Sequence, residues 1–373
     1  MQKVFGAVVA VLVLFFVTGC DFGSSQPQTG DNNQPLDTLY AYDDFAELCL
    51  VGQRCYTIES EGNRAVAMND LNGDGIWDAV IGTEDGPNKL CLGDQLGGLT
   101  CENLNDEITT TTGVVFGDLN GDEHLDLVLS NSTQSQICIN NGEASFTCQA
   151  ISDEETGSRS VALGDLNADG NLDVVFASAG PNLVCINNGV AVFDCQNVSD
   201  DNFSNGGVAL GDLNGDGVLD AVFASVDQPN QSCIGAGNGQ FTCQDLGESA
   251  GKSNAVALGD FIEDEQGNDN APILDMAFAA TDGYSICTGN GNGGIASCQS
   301  ETNNVNNIGI ASGDLNGDGE LDIILLREKS TTRVCSGDGT GKFNCRTRNF
   351  QNANGAYSVA MGRFAPYIES EPD

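Results

Sequence analysis

Beyond residue 35, two kinds of short apolar segment alternate along the chain. One is built from small residues and ends in glycine, as in Val161-Ala162-Leu163-Gly164. The other is almost continuously apolar, as in Val174-Val175-Phe176-Ala177. The first pattern suits a strand in a crowded inner position, and the second a strand covered on both faces. Each pair is followed by two shorter segments that carry one cysteine each. No helical apolar periodicity follows the N-terminus. The four segments, here strand positions A to D, recur roughly every 47 residues. Position D would lie at an outer edge, where its cysteine can staple it to C.

The two ends of the chain are complementary. A last A segment, Tyr357 to Arg363, is followed by no B, C or D. Leu36-Asp37-Thr38-Leu39-Tyr40-Ala41-Tyr42 matches the B segment Leu219 to Ser225, and Asp37 precedes Cys49 by the same 12 residues that separate Asp173 from Cys185. Residues 36–58 thus supply B, C and D for the A segment at 357–363. Complementary half-repeats serve a closed ring and not an open solenoid. The expectation is an all-β fold, a seven-bladed β-propeller spanning 36–364 and closed by N-terminal strands B, C and D with C-terminal strand A in one blade. An acidic tail, 365–373, follows.

The first residues form a targeting segment. Lys3 precedes an apolar run, Val4 to Val17, and then Val17-Thr18-Gly19-Cys20. This resembles a bacterial lipobox, with Val17 where Leu is commonest. It implies a signal peptide at 1–19, lipidation of Cys20 and a flexible tether over 20–35. A plain signal peptide or a membrane anchor are the alternatives, although the run is short for a span. Asp21 resembles an inner-membrane retention signal, a rule that varies among bacteria. The expected location is the bacterial cell envelope, lipid-anchored and extracytoplasmic.

Of 15 cysteines, 14 remain beyond Cys20. They fall into seven consecutive pairs: Cys49/Cys55, Cys91/Cys101, Cys138/Cys148, Cys185/Cys195, Cys233/Cys243, Cys287/Cys298 and Cys335/Cys345. Turn residues such as Asn187-Asn188-Gly189 lie between the partners, so each pair reads as a cross-strand disulfide on a hairpin. Zinc competes as a reading, but the spacing is not that of CxxC knuckles and histidine is nearly absent.

Charge narrows the partners. A formal net charge of −41 repels nucleic acid phosphates and anionic headgroups, so no nucleic acid is expected and the membrane is reached through the lipid anchor only. The acids are not spread as in a disordered chain; they sit at fixed points between A and B. There the loop Asp-x-Asn-x-Asp-Gly-x-Leu-Asp offers side-chain oxygens at positions 1, 3, 5 and 9 and a carbonyl at position 7, a donor set for calcium. The five complete copies are Asp70, Asn72, Asp74, Ile76 and Asp78; Asp118, Asn120, Asp122, His124 and Asp126; Asp165, Asn167, Asp169, Asn171 and Asp173; Asp212, Asn214, Asp216, Val218 and Asp220; and Asp314, Asn316, Asp318, Glu320 and Asp322. Copy two has Glu123 at the glycine position, which predicts strain. A further copy, Asp260, Asp264 and Asp275, lacks the Asn and carries an insertion, so its binding is doubtful. Arg363 replaces the first Asp at the seam. About five Ca2+ sites are expected. Asx-turns without metal are the competing reading. EF-hands share part of this loop but need flanking helices and a Glu at position 12, where the first loop has Ile81.

GDLNGDGVLD at 211–220 and GDLNGDGELD at 313–322 resemble the FG-GAP/VCBS repeats, a family that includes the propeller of integrin alpha subunits. The resemblance extends over 36–364. It implies a calcium-bearing propeller used mainly for extracellular binding, with ligands too varied to carry over.

Strand parity puts the A–B loops and C–D hairpins on one face and the B–C and D–A loops on the other. The second face has no metal task and is the expected ligand face. Arg327, Lys329, Arg333 and Arg348 gather there, either for an anionic group or as charge balance. Catalysis by a Ser/His/Asp or Cys/His site has no base, since the one histidine, His124, sits in an acidic loop. The expectation is a monomeric adhesion or binding scaffold for a protein or glycan, without catalytic residues. The alternative is a calcium-dependent polysaccharide-active enzyme of the lyase kind. A structural surface protein with protein partners only is a third reading.

Overall fold

A computed structural model describes residues 37–42, 45–49, 55–59, 62–94, 98–152, 157–199, 203–247, 251–262, 273–302, 304–328, 332–347 and 356–362. The expected leader, Cys20, the tether and the acidic tail lie outside the described residues. The described elements are all strands.

Strands β1 (Asp37–Tyr42), β2 (Phe45–Cys49) and β3 (Cys55–Glu59) come first. Six runs of four consecutive strands follow. They are β4 (Asn63–Asn69), β5 (Asp78–Thr83), β6 (Lys89–Gly93) and β7 (Leu99–Asn103); β8 (Thr111–Gly117), β9 (Asp126–Asn131), β10 (Gln136–Asn140) and β11 (Phe146–Ala150); β12 (Ser158–Gly164), β13 (Asp173–Ser178), β14 (Leu183–Asn187) and β15 (Phe193–Asn197). Next are β16 (Asn205–Gly211), β17 (Asp220–Ser225), β18 (Gln231–Gly235) and β19 (Phe241–Asp245); β20 (Ser253–Gly259), β21 (Asp275–Ala280), β22 (Gly283–Gly289) and β23 (Ile295–Thr302); β24 (Asn307–Gly313), β25 (Asp322–Arg327), β26 (Arg333–Gly337) and β27 (Phe343–Thr347). β28 (Ala356–Gly362) is last. Each run is one antiparallel sheet with strands in chain order, a blade. We number these blades one to six.

The expectation of a seven-bladed propeller is corrected. Six are blades in the full sense, each a continuous run of chain whose described side chains build the core. The remaining sheet, β28-β1-β2-β3, is a composite of the two chain ends. In it β1 pairs with β28, from Asp37 opposite Gly362 to Tyr42 opposite Ala356. It differs because its first two strands are not joined through an acidic loop but come from opposite ends of the chain. β28 lies against β24 and β25 on one side and β4 on the other. The Val66 amide donates to Ser358 Oγ at 3.0 Å, and the Arg64 guanidinium stacks 4.0 Å from the Tyr357 ring centroid.

The hydrophobic pattern explains the layering. The second strand of a blade is buried along its whole length, as in β9, β13 and β17. Phe176, Phe223 and Phe278, on the second strands β13, β17 and β21, are fully buried between blades. The outermost strands alternate between half-buried and exposed positions. One apolar cluster joins Val115 and Val128 of blade two to Val161 and Phe176 of blade three, and equivalent clusters join the blades that follow. Apolar burial between sheets thus stabilises the ring in a repeating way.

Candidate functional site: acidic loops and the opposite face

Each acidic loop folds around its own carboxylates. Asp212 Oδ1 accepts from the Gly215 and Asp216 amides at 2.7 and 3.2 Å, and its Oδ2 from Gly217 at 2.8 Å. Asn214 Oδ1 accepts from the Asp216 amide at 2.9 Å, and Asp216 Oδ1 from Val218 at 2.8 Å. The loops at Asp70, Asp118 and Asp314 repeat these bonds, and the loop at Asp165 keeps the bonds to Asp169 and Gly170. Asn72, Asn120, Asn167 and Asn316 play the Asn214 role, and Asp74, Asp122, Asp169 and Asp318 the Asp216 role. Glu123 stands at φ 69°, the left-handed conformation that other copies give to Gly75, Gly170, Gly217 and Gly319. The strain expected in copy two is present there.

The position-9 aspartate is a buried strut. Asp220 Oδ2 accepts from the Leu213 amide at 2.9 Å and Oδ1 from the Gly235 amide at 2.8 Å. It therefore ties its loop to the hairpin between the third and fourth strands. Asp78, Asp126, Asp173 and Asp322 do the same. Asp275 keeps this role despite the insertion, accepting from Ile262 and Gly289 at 2.9 and 3.0 Å. Asp264 lies outside the described residues. Burial pushes the Asp126, Asp173 and Asp275 carboxyls up to about 6, against the lowering pull of the amides that they accept from. Asp78, Asp220 and Asp322 are raised for the same reason, and the acids at positions 5 and 1 add to it.

Three carboxylates, an amide oxygen and the main-chain carbonyl of Ile76, His124, Asn171, Val218 or Glu320 form an all-oxygen donor set, which matches a hard cation. Asp212 Oδ2 and both Asp220 oxygens each accept one backbone amide and retain a further lone pair, whereas Asp212 Oδ1 already accepts from two. On donor chemistry the loops fit calcium. Among the described residues, no group of three or more His, Cys, Asp or Glu side chains is gathered for a metal; the carboxylates face loop amides instead.

Neighbouring blades are latched at these loops. The Asn187 amide group donates to the Leu119 carbonyl at 2.8 Å, and Asn140 reaches Leu71 in the same way. The Gly239 and Gly293 amides donate to the carbonyls of Leu166 and Leu213. The sequence reading did not single out these contacts. Six disulfides, Cys91–Cys101, Cys138–Cys148, Cys185–Cys195, Cys233–Cys243, Cys287–Cys298 and Cys335–Cys345, join directly opposed residues of the outer two strands. Cys49 and Cys55 face one another in the backbone register. Such disulfides belong to an oxidising, extracytoplasmic setting. Among the described residues no helix is long and apolar enough to cross a membrane.

On the opposite face, Arg333 Nη1 donates to Glu301 Oε1 at 2.8 Å, and the Tyr284 hydroxyl donates to Glu301 Oε2 at 3.1 Å. The bond from Arg333 holds the Glu301 carboxyl below its ordinary range. Burial, and then the like charge of Arg333, lower the pKa of Arg327. The structure brings Arg327 and Arg333 together, while Lys329 and Arg348 lie outside the described residues. A second set was missed by the sequence reading: Asn88, Ser135, Asn182 and Asn230, each three residues before the first cysteine of its blade. They accept from the amide that ends the second strand, at 2.9–3.2 Å. Their fixed spacing from cysteine was the available signal.

Fold and loops together define a disulfide-stapled β-propeller with recurring acidic turns. Residues 70–129, 118–176 and 165–223 match the FG-GAP-like repeat, so that stretch of the propeller is built of FG-GAP-like repeats. No curated protein sequence matches the chain. Among solved structures it is similar to an Agrocybe aegerita lectin described as recognising non-reducing terminal N-acetylglucosamine (TM-score 0.57, 17% identity, 85% of this chain and 90% of that one). It is also similar to the V. cholerae biofilm matrix protein Bap1 (TM-score 0.52, 11% identity, 88% and 79%). A third is the Pseudomonas aeruginosa periplasmic gluconolactonase PpgL (TM-score 0.57, 12% identity, 89% and 100%). At these identities the likeness is one of fold.

Proposed function

We propose that this protein is a calcium-stabilised binding scaffold, carried outside the cytoplasm on a lipid anchor at Cys20. It holds a protein or glycan ligand on the face opposite its acidic loops and does not transform it. The observation that carries this reading is the position-9 strut. Asp220 and its equivalents bind loop to hairpin within a blade, and Asn187 and Asn140 latch neighbouring blades at the same loops, so the loop face is committed to holding the ring together. When bound, calcium would supply countercharge to three carboxylates per loop in a chain of net charge −41. The same fold serves sugar recognition in the Agrocybe aegerita lectin, which supports a glycan as ligand.

The test is retention of glycans and envelope proteins on the immobilised chain, with calcium and with chelator, and analysis of what is eluted. Retention of an unaltered ligand that weakens in chelator is expected. Cleaved or unsaturated sugar products would contradict the reading.

A further inference from the structure

Asn-Gly steps recur on the acidic-loop face. Asparagine is chemically labile, and a following glycine puts no Cβ in the way of attack by its own amide nitrogen on the asparagine side-chain carbonyl. In most of these steps that nitrogen is engaged. Gly73, Gly121, Gly215 and Gly317 donate to the position-1 aspartates Asp70, Asp118, Asp212 and Asp314 at 2.7–2.8 Å. In the hairpins of blades two and three, Gly142 and Gly189 donate to Asn140 and Asn187 Oδ1, both at 3.1 Å. Gly239 and Gly293 donate to the Leu166 and Leu213 carbonyls of the preceding blade. Asn205, before Gly206, is buried in β16, with its side chain held by Asn182 and Ser225.

Asn290-Gly291, in the hairpin of blade five, departs from this pattern. Asn290 is exposed, and among the described residues the Gly291 amide has no acceptor. Asn290 Oδ1 accepts from the Asn292 amide at 2.9 Å and from the Gly294 amide at 3.0 Å. Two amides aimed at one carbonyl oxygen stabilise the negative charge that gathers there when its carbon is attacked. Asn141 and Asn188 Oδ1 each accept from two amides in the same way, but their glycine nitrogens are engaged. Among the described Asn-Gly steps, an exposed asparagine, a free nucleophile and a doubly bonded carbonyl oxygen coincide at Asn290.

We infer that Asn290 is a self-modification site, which closes a succinimide with Gly291 and opens to an aspartyl or isoaspartyl residue. Hydroxide takes the Gly291 amide proton, and the nitrogen attacks Asn290 Cγ. The N–Cγ bond forms and the Cγ–Nδ2 bond breaks; the leaving nitrogen takes a proton from water and departs as ammonia. Water then adds to either ring carbonyl and breaks its bond to the ring nitrogen. The position couples this chemistry to the ring of blades. On one side the Gly289 amide donates to Asp275 at 3.0 Å, and on the other the Gly293 amide donates to the Leu213 carbonyl of blade four at 3.4 Å. An isoaspartyl link inserts one more backbone carbon between these two anchors and loosens the latch between blades four and five.

The test is site-resolved peptide mapping by mass spectrometry of the full, disulfide-intact chain, incubated in calcium at mildly alkaline pH. The reduced, denatured chain gives the intrinsic rates. In the folded chain Asn290 should convert about tenfold or more faster than Asn214, whose glycine amide must first leave a charged acceptor. In the denatured chain the two should react alike. Asp212→Ala should raise the Asn214 rate about tenfold, with Asn72 unchanged as the control within the same chain. The incubated wild-type chain should melt lower than the fresh one, whereas Asn290→Gln, whose longer side chain closes a less favourable ring, should melt alike before and after. Asn290 left intact in the folded chain, or converted no faster there than Asn214, would overturn the site. An unchanged Asn214 rate in Asp212→Ala would overturn the role given to the glycine amide. Equal loss of melting temperature in wild type and Asn290→Gln would overturn the coupling to the blades.

Discussion

Asn187, in the hairpin of blade three, donates its side-chain amide to the carbonyl of Leu119, in the acidic loop of blade two, at 2.8 Å. Asn187 is 1% exposed. The same side chain reaches the Leu172 carbonyl of its own blade at 3.1 Å. Loop and hairpin on this face are therefore one structure spanning two blades. The Asn187→Ala variant should lose about 1–3 kcal/mol, the cost of leaving buried carbonyls under-satisfied. Equilibrium denaturation reads this directly, and a change below about 0.5 kcal/mol, the range of neutral surface substitutions, would remove the latch from the account.

Asp220 makes a second prediction, because it has two tasks: it braces the loop and it belongs to the proposed calcium set. Asp220→Asn puts an amide group where two backbone amides donate. Losing charge-assisted bonds of this kind should cost about 1.5–3 kcal/mol. Calorimetric titration should also show one calcium fewer per chain than wild type. Unchanged stoichiometry with reduced stability would make the residue a strut alone.

The raised carboxyls give the metal-free protein a signed pH dependence. Asp126, Asp173 and Asp275 titrate near 6 when folded, against an ordinary value of 3.8. A pKa raised by folding contributes stability that is fully present below the unfolded value and lost as pH rises through the folded one. In chelator, urea midpoints should therefore fall as pH is raised from about 4 to about 6. Calcium should oppose this fall, because it favours the ionised carboxylates. A midpoint in chelator that rises across this window would contradict the assignment.

The loops were legible in the sequence because their donors are local. Asp212, Asn214 and Asp216 lie two residues apart, and the turn that joins them follows from that spacing. The meeting of the chain ends was legible for a similar reason, since Leu36 to Tyr42 copies a known second strand. What could not be read were contacts between blades. The Asn187–Leu119 bond joins residues 68 apart, and nothing at Asn187 alone distinguishes a latch from a turn residue. The sequence showed the basic residues of blade six only as a cluster. The expectation of a seven-bladed propeller overreached because complementary ends supply strands, not the joining loop that a full blade has.

The central claim is that the acidic loops bind calcium and thereby hold blades together. Differential scanning calorimetry of the purified, disulfide-intact chain in saturating calcium and in excess chelator tests it most directly. A single site occupied at 100 times its dissociation constant stabilises the native state by about 2.7 kcal/mol. With about 2–4 °C per kcal/mol for a large domain, several occupied loops should raise the melting temperature by about 10 °C or more. Superimposable melting curves in calcium and in chelator would contradict the account.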